Sequence, residues 1–525
     1  MVAAHVADAL GGIPATVVVE PTALTVEQVV SVARHGAPVQ LSPRTIAALD
    51  TARTHVETHA ASDTAIYGVS TGFGALASTR IDVDLRDTLQ HSLVRSHAAG
   101  SGPEVEEEVV RALMLLRLHT FATGHTGVRA KTAQLYADMI NARITPVVHE
   151  FGSLGCSGDL APLAHCALAA IGEGRVRDGS GTLRPAAEAL AHAGLQPVTL
   201  SAKEGLALIN GTDGMLGMLC LALCDLSVLA TTADITCAMS VEALLGTDRV
   251  FADDLQAVRP HPGQRASAHN LRTLLANSAI VASHRGADCS DVQDAYSLRC
   301  APQVAGAVRA TIAHAADVAG IELASAVDNP VVLTDGRIES NGNFHGAPVG
   351  FVLDFLAIAA ADLGSISERR TDRLLDPARN QGLPAFLGDS PGVDSGLMIA
   401  QYTQAAIVSE LKRLAAPASV DSIPSSAMQE DHVSMGWSAA RKLRRSIDAL
   451  TRVLAIEAMT AARALDLRAP LAPAPATAAV VERLRKAVPG PGDDRWLAPE
   501  IQATVDLLLT DELRNAVQTV TGPLA

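Results

Sequence analysis

The sequence predicts a mainly α-helical protein, a large bundle of long helices fronted by a mixed N-terminal region. Two observations point there. Beyond about residue 200, five segments (214–245, 302–325, 348–372, 397–416 and 434–465) repeat apolar residues at three- and four-residue spacing. Hydrophobic residues make up 48% of the 525 and charged ones 18%, enough to bury a core of that size.

In chain order, the N-terminal MVAAHVADAL lacks a basic stretch followed by a long apolar one, so no secretory signal is expected. TVVVE (16–20) reads as a short strand. In QLSPRTIAALDTARTHVETHA (40–60), Ser42 and Pro43 suit the cap and first turn of a helix. EVEEEVVRALMLLRLHTFA (104–122) begins acidic, as a helix N-terminus favours, and then turns periodic. A glycine-rich stretch at 152–158 interrupts the helical pattern. The apolar runs 205–224 and 349–361 are broken by Asp213 and Asp354, so they read as buried helices rather than membrane spans. RAPLAPAPATAAV (468–480) reads as a linker. The expected organisation is an N-terminal region (1–200), a long-helix bundle (201–466), and a linker with C-terminal helices (467–525).

The formal charge of −15 argues against a nucleic-acid partner. Cys220 and Cys224 read as small core residues on one helix face rather than a metal pair. Seven scattered cysteines without framework spacing suit a reducing, cytoplasmic setting. Only 3% of residues are aromatic, with four tyrosines. Tyr67 and Tyr296 each lie in a polar, glycine- or serine-bearing block, which raises their interest as functional groups.

The segment GSLGCSGDLAPLAH (152–165) carries the most chemistry. A hydrolase elbow needs glycine two residues after its serine, and position 159 is Asp, so that motif fails. A tight turn here lets the nitrogen of Gly158 attack the carbonyl of Cys156, since glycine has no Cβ in the way. Loss of water from that ring and from Ser157 leaves a methylidene-imidazolone, an electron-poor alkene in the role of an electron sink.

This segment resembles the prosthetic-group signature of the histidine/phenylalanine ammonia-lyase family. The usual tripeptide there is Ala-Ser-Gly; Cys156 replaces the first residue, whose backbone alone enters the ring, and the Cys form resembles actinobacterial members. YGVSTGFGALAST (67–79), LVRSHAAGSG (93–102), KEGLALINGT (203–212), DVQDAYSLRCAPQVAGA (291–307), ASAVDNPVV (324–332), SNGNFHGAPV (340–349) and SSAMQEDHVSMG (425–436) match further blocks in register.

The resemblance implies a bundle of the fumarase/aspartase-like type and a cytoplasmic homotetramer with active sites shared between subunits. It implies no external cofactor and no metal. Tyr67 would transfer a proton above the site, Tyr296 would support the electrophile, and Arg299 would clamp the substrate carboxylate through two parallel hydrogen bonds. Asn210 and Gln293 would supply amides, and Phe344 would pack on the prosthetic ring. His97 and the Gln429-Glu430 pair would select the substrate. A carboxylate at 430 accepts an imidazole N–H and is costly against a plain phenyl ring, which favours L-histidine. Glu430 and Tyr67 both remain candidates for the base that takes the β-proton. Deamination of L-histidine to trans-urocanate is therefore expected. The alternative is a tyrosine or phenylalanine ammonia-lyase or aminomutase with the same prosthetic group. A pyridoxal-phosphate lyase is a mechanistic rival that would need a Schiff-base lysine, but lysine is scarce and Lys203, near Asn210, lies in a block where the resemblance does not make it the electrophile.

Overall fold

The computed structural model describes residues 16–60, 66–68, 70–155, 158–285 and 293–525. Cys156 and Ser157 lie outside the described residues.

Short elements come first. The expected strand is Val17–Val19, paired in parallel with Val39–Leu41. Ser42 caps the helix Pro43–Ala60, its Oγ accepting from the Thr45 N–H at 3.1 Å. The helices α1 (Arg86–His97) and α2 (Glu107–Ala122) follow, then α3 (Leu160–Ala170) and α4 (Glu204–Ile209). The sheets are small: three pairs and one three-stranded sheet among the described residues.

The bundle is built from α5 (Asp213–Ala243), α7 (Ala301–Glu322), α8 (Ala347–Leu375), α9 (Met398–Leu414) and α10 (Gly436–Asp466). These follow the five periodic segments closely. A one-turn helix, α6 (Tyr296–Arg299), precedes α7. Helix α10 packs along α5, α8 and α9, while α7 packs against α5 and α8. Helix α5 is apolar on every side and buried along nearly its whole length, as a central helix must be. It and α8 are long and apolar enough to cross a membrane, yet most of each is covered by the bundle. Cys220 and Cys224 are buried on α5, their thiols pushed up by burial to about 12 and about 11.

The core has two main lobes along the bundle. One surrounds the first half of α5 with α2, α3 and α4, and the other surrounds its second half with Leu298, Leu374 and the C-terminal helices. Within the second lobe Glu457 of α10 is fully buried. It accepts from Thr236 Oγ1 (2.8 Å), Ser240 Oγ (2.8 Å), Ser367 Oγ (2.6 Å) and both Nε (2.5 Å) and Nη2 (2.9 Å) of Arg370. A buried charge so fully bonded avoids the penalty of an unpaired ion. Arg370 Nη1 also donates to Ser297 O at 3.3 Å, which ties α6 to the bundle centre.

Candidate active site

The glycine-rich loop lies at the N-terminal end of α5. Gly158 has φ +79°, and a Cβ there would overlap the backbone of Gly211. The next residue, Asp159, donates its N–H to Gly211 O at 2.6 Å. Its buried carboxylate accepts from Ser153 Oγ (2.8 Å) and from the first-turn N–H groups of Gly214 (2.9 Å) and Met215 (3.0 Å). It therefore satisfies donors that a helix N-terminus leaves open. Burial still outweighs these bonds and pushes the Asp159 carboxyl up to about 7, with Asp213 adding like charge.

Two other loops are tied to the same turn. Gly155 O accepts from the Gly346 N–H (3.0 Å) and from Ser434 Oγ (2.5 Å). Half-buried Phe344 is two residues before Gly346, so its loop is anchored at the glycine turn.

Asn210 follows α4 and precedes Gly211. Its Nδ2 donates to Asn329 O at 2.8 Å, and its carbonyl accepts from Arg117 Nη1 at 2.7 Å. Its Oδ1 is buried without a protein partner. A buried acceptor left open is costly, so this atom is poised for an N–H donor. Below it, Lys203 and Asp328 form a fully buried pair, Nζ to Oδ2 2.6 Å, and burial draws the lysine pKa down. With its ammonium engaged there, Lys203 supports the floor of the site.

Tyr67, His97 and Glu430 come together in one chain. Tyr67 Oη accepts from the Gly74 N–H at 3.1 Å, and its ring meets Phe73 edge-on with centroids 6.3 Å apart. Glu430 accepts at Oε2 from Ser425 Oγ (3.0 Å). Burial raises the Tyr67 pKa and the Glu430 carboxylate raises it further, while the Gly74 hydrogen bond opposes them. His97, at the end of α1, places Nδ1 2.9 Å from Leu93 O. A carbonyl only accepts, so Nδ1 carries the proton and Nε2 is left as the acceptor. Burial lowers the His97 pKa against the opposing pull of Glu430, which favours the neutral ring. Gln429 is exposed beside Glu430.

The remaining expected residues lie elsewhere. Asp294 Oδ2 accepts from the Thr247 N–H (2.8 Å), just past the C-terminal end of α5. Thus α6 sits near the opposite end of that 31-residue helix, about 45 Å away at 1.5 Å per residue. There the Arg299 guanidinium lies 4.6 Å above the Tyr296 ring, and Tyr296 is 72% exposed. Arg299 Nε is buried without a protein partner. Gln293 is exposed on the same segment. One chain therefore holds the glycine turn, Asn210, Tyr67, His97, Glu430 and the Phe344 loop at one end, and at the other exposes Gln293 and Tyr296, with the half-buried Arg299 stacked on the tyrosine.

Sequence reasoning missed Asp159, Arg117, the Lys203–Asp328 pair and the serines at 425 and 426. Asp159 was visible only as the residue that spoils a hydrolase motif. Its role as the α5 cap needs the position of a helix 54 residues on, at Asp213.

Comparison with known proteins fits this arrangement. The histidine ammonia-lyase of Streptomyces avermitilis is 65% identical over 511 residues, covering 97% of this chain and 100% of that protein. That of Streptomyces griseus is 65% identical over 513 residues with the same coverage. Among solved structures, a tyrosine aminomutase from Streptomyces globisporus superposes with a TM-score of 0.92 at 39% identity, covering 97% of this chain and 100% of that one. The histidine ammonia-lyase from Trypanosoma cruzi gives 0.88 at 37% identity, covering 96% and 95%. Residues 24–486 match the aromatic amino acid lyase family as a whole, and the chain belongs to that family.

Proposed function

We infer that this chain removes ammonia from L-histidine, without oxidation, to give trans-urocanate, the first step of histidine degradation in the cytoplasm. The observation that carries the substrate is the meeting of His97 and Glu430 beside Tyr67. An imidazole N–H finds an acceptor in His97 Nε2 or the Glu430 carboxylate, whereas a phenyl ring has no N–H to give to either. The high identity to proteins named histidine ammonia-lyase points the same way.

The residues around the turn suit a methylidene-imidazolone made from Cys156, Ser157 and Gly158. Gly158 lies flat against Gly211 where any side chain would collide, and Asn210 aligns a partnerless amide oxygen beside that contact. The group supplies an electron-poor alkene that makes the substrate amine a better leaving group. The chain's own residues do the rest. Asn210 Oδ1 accepts from the substrate amino group. Arg299, with Tyr296 beneath it, binds the carboxylate, and Phe344 lines the ring. Tyr67 and Glu430 stand where the β-proton is handled.

Arg299 and Tyr296 lie too far from Gly158 in one chain to act there. They would be supplied by a second copy, in a homotetramer whose sites draw on several subunits. The exposed Tyr296 ring beneath Arg299 and the distance along α5 support this reading. The test is to incubate purified protein with L-histidine, L-tyrosine and L-phenylalanine and follow the conjugated acid formed. Urocanate from histidine alone is expected; coumarate or β-tyrosine from tyrosine, with no urocanate, would overturn the substrate.

A further inference from the structure

Ser426 stands where two loops of this chain meet, on backbone that side-chain-bearing residues avoid. Ser426, Ala427 and Met428 have φ values of 50°, 52° and 70°. Three successive non-glycine residues in the left-handed region persist only where the surroundings hold them. Burial does not hold them, since Ala427 and Met428 are exposed. Hydrogen bonds do. Ser425 N–H donates to Glu430 O at 2.9 Å and Glu430 N–H to Ser425 O at 3.3 Å, closing the turn.

The turn aims the Ser426 hydroxyl into the Tyr67 loop. There Oγ accepts from the Ala75 N–H at 3.2 Å. The neighbouring Gly74 has φ +52°, and a Cβ on it would overlap Ser426 Oγ. Gly74 N–H in turn donates to Tyr67 Oη at 3.1 Å. The peptide held by Ser426 is therefore joined directly to the one that orients the phenol, and the turn that carries Ser426 also carries Glu430.

We propose that Ser426 is a positioning residue: through Ala75 and Gly74 it fixes Tyr67 against Glu430, so one hydroxyl sets both proton-handling groups. This rests on the reading that Tyr67 and Glu430 act on substrate protons. The left-handed turn is the device that turns the hydroxyl away from its own loop and toward the other.

The test pairs a readout that needs no substrate with one that does. In the intact enzyme, exposed Arg80 gives trypsin a site within the Tyr67 loop. In Ser426→Ala and Ser426→Gly, cleavage after Arg80 is expected to speed up about threefold or more, as the loop opens more often. The kcat for the amino-acid substrate should fall about fivefold, the worth of one ordinary hydrogen bond, with KM changing less than about twofold. Alanine keeps the left-handed cost and glycine relieves it, so matching losses assign the effect to the hydroxyl. Gly74→Ala should open the loop with Ser426 in place, and should do less harm in the Ser426→Gly background, a non-additive cycle. Wild-type cleavage and kcat in Ser426→Ala would overturn the proposal, as would full recovery in Ser426→Gly. If the wild type forms no urocanate while Ser426→Ala is cut faster, the substrate reading fails and the loop contact stands.

Discussion

Gly158 lies against Gly211 with no room for a side chain between them, and the Asp159 N–H seals the contact by donating to Gly211 O at 2.6 Å. A glycine is needed at 158 for its φ of +79°, and the proposed cyclisation needs it again, because its nitrogen would have to reach the carbonyl of residue 156. Gly158→Ala should block the cyclisation and abolish turnover. Mass measurement of the peptide spanning 152–165 checks it. The wild-type peptide should be lighter by two waters and the variant peptide should have its full mass. A dehydrated variant peptide would break the link between this contact and the prosthetic group.

The pH dependence of stability follows from Asp159. Its folded pKa of about 7 lies above the ordinary 3.8, so between those values the folded chain keeps a proton that the unfolded chain has lost. The contribution is complete below pH 3.8, declines as the pH rises through 7, and is flat above. At about 1.4 kcal/mol per pH unit the effect is bounded near 4 kcal/mol. Asp159→Asn cannot ionise and can still accept from Gly214 and Met215, so its Tm should gain on the wild type as the pH rises from 4 to 8. Every other group titrates alike in both proteins. Parallel melting curves would show that Asp159 keeps its charge when folded.

Much of this was legible in the sequence, for a physical reason. The extents of α5, α7, α8, α9 and α10 follow from long helical runs of apolar residues in the sequence, and Ser42 caps its helix through a contact only three residues long. The meeting of Tyr67, His97 and Glu430 came from family resemblance, since no local pattern links positions hundreds of residues apart. Lys203 shows the opposite limit. Its buried pairing with Asp328 spans 125 residues, and nothing local distinguishes it from a surface lysine or a Schiff-base former. The left-handed turn at Ser426 was illegible because Ser-Ala-Met carries none of the glycine or asparagine that usually marks such backbone.

Burial and the Glu430 carboxylate both hold Tyr67 as a phenol rather than a phenolate. Removing the carboxylate should therefore lower the Tyr67 pKa. With four tyrosines in the chain, ultraviolet titration can follow one of them, and in Glu430→Gln one tyrosine should ionise at lower pH than in the wild type. Tyr67→Phe keeps the edge contact with Phe73 and loses only the hydroxyl, so kcat should fall about 100-fold or more with little change in KM. Glu430→Gln should raise KM for histidine as well, if the carboxylate also holds the imidazole as proposed. An unchanged KM there would confine Glu430 to proton transfer.

The separation of Arg299 from Gly158 along α5 makes a prediction that no single-chain site shares. Tyr67→Phe subunits carry a sound Arg299, and Arg299→Ala subunits carry a sound Tyr67. Each variant alone should be nearly inactive, the second through loss of the two-pronged carboxylate clamp, which lysine cannot restore because it lacks the planar fork. If the two halves of the site come from different subunits, co-expression of the two variants must rebuild some sites with both groups intact. Activity should then return well above that of either parent, and should disappear when the two variants are expressed apart and mixed without subunit exchange. Co-expressed protein no more active than its parents would mean that Tyr67 and Arg299 serve the same site from the same chain, and that α6 must move a long way to reach it.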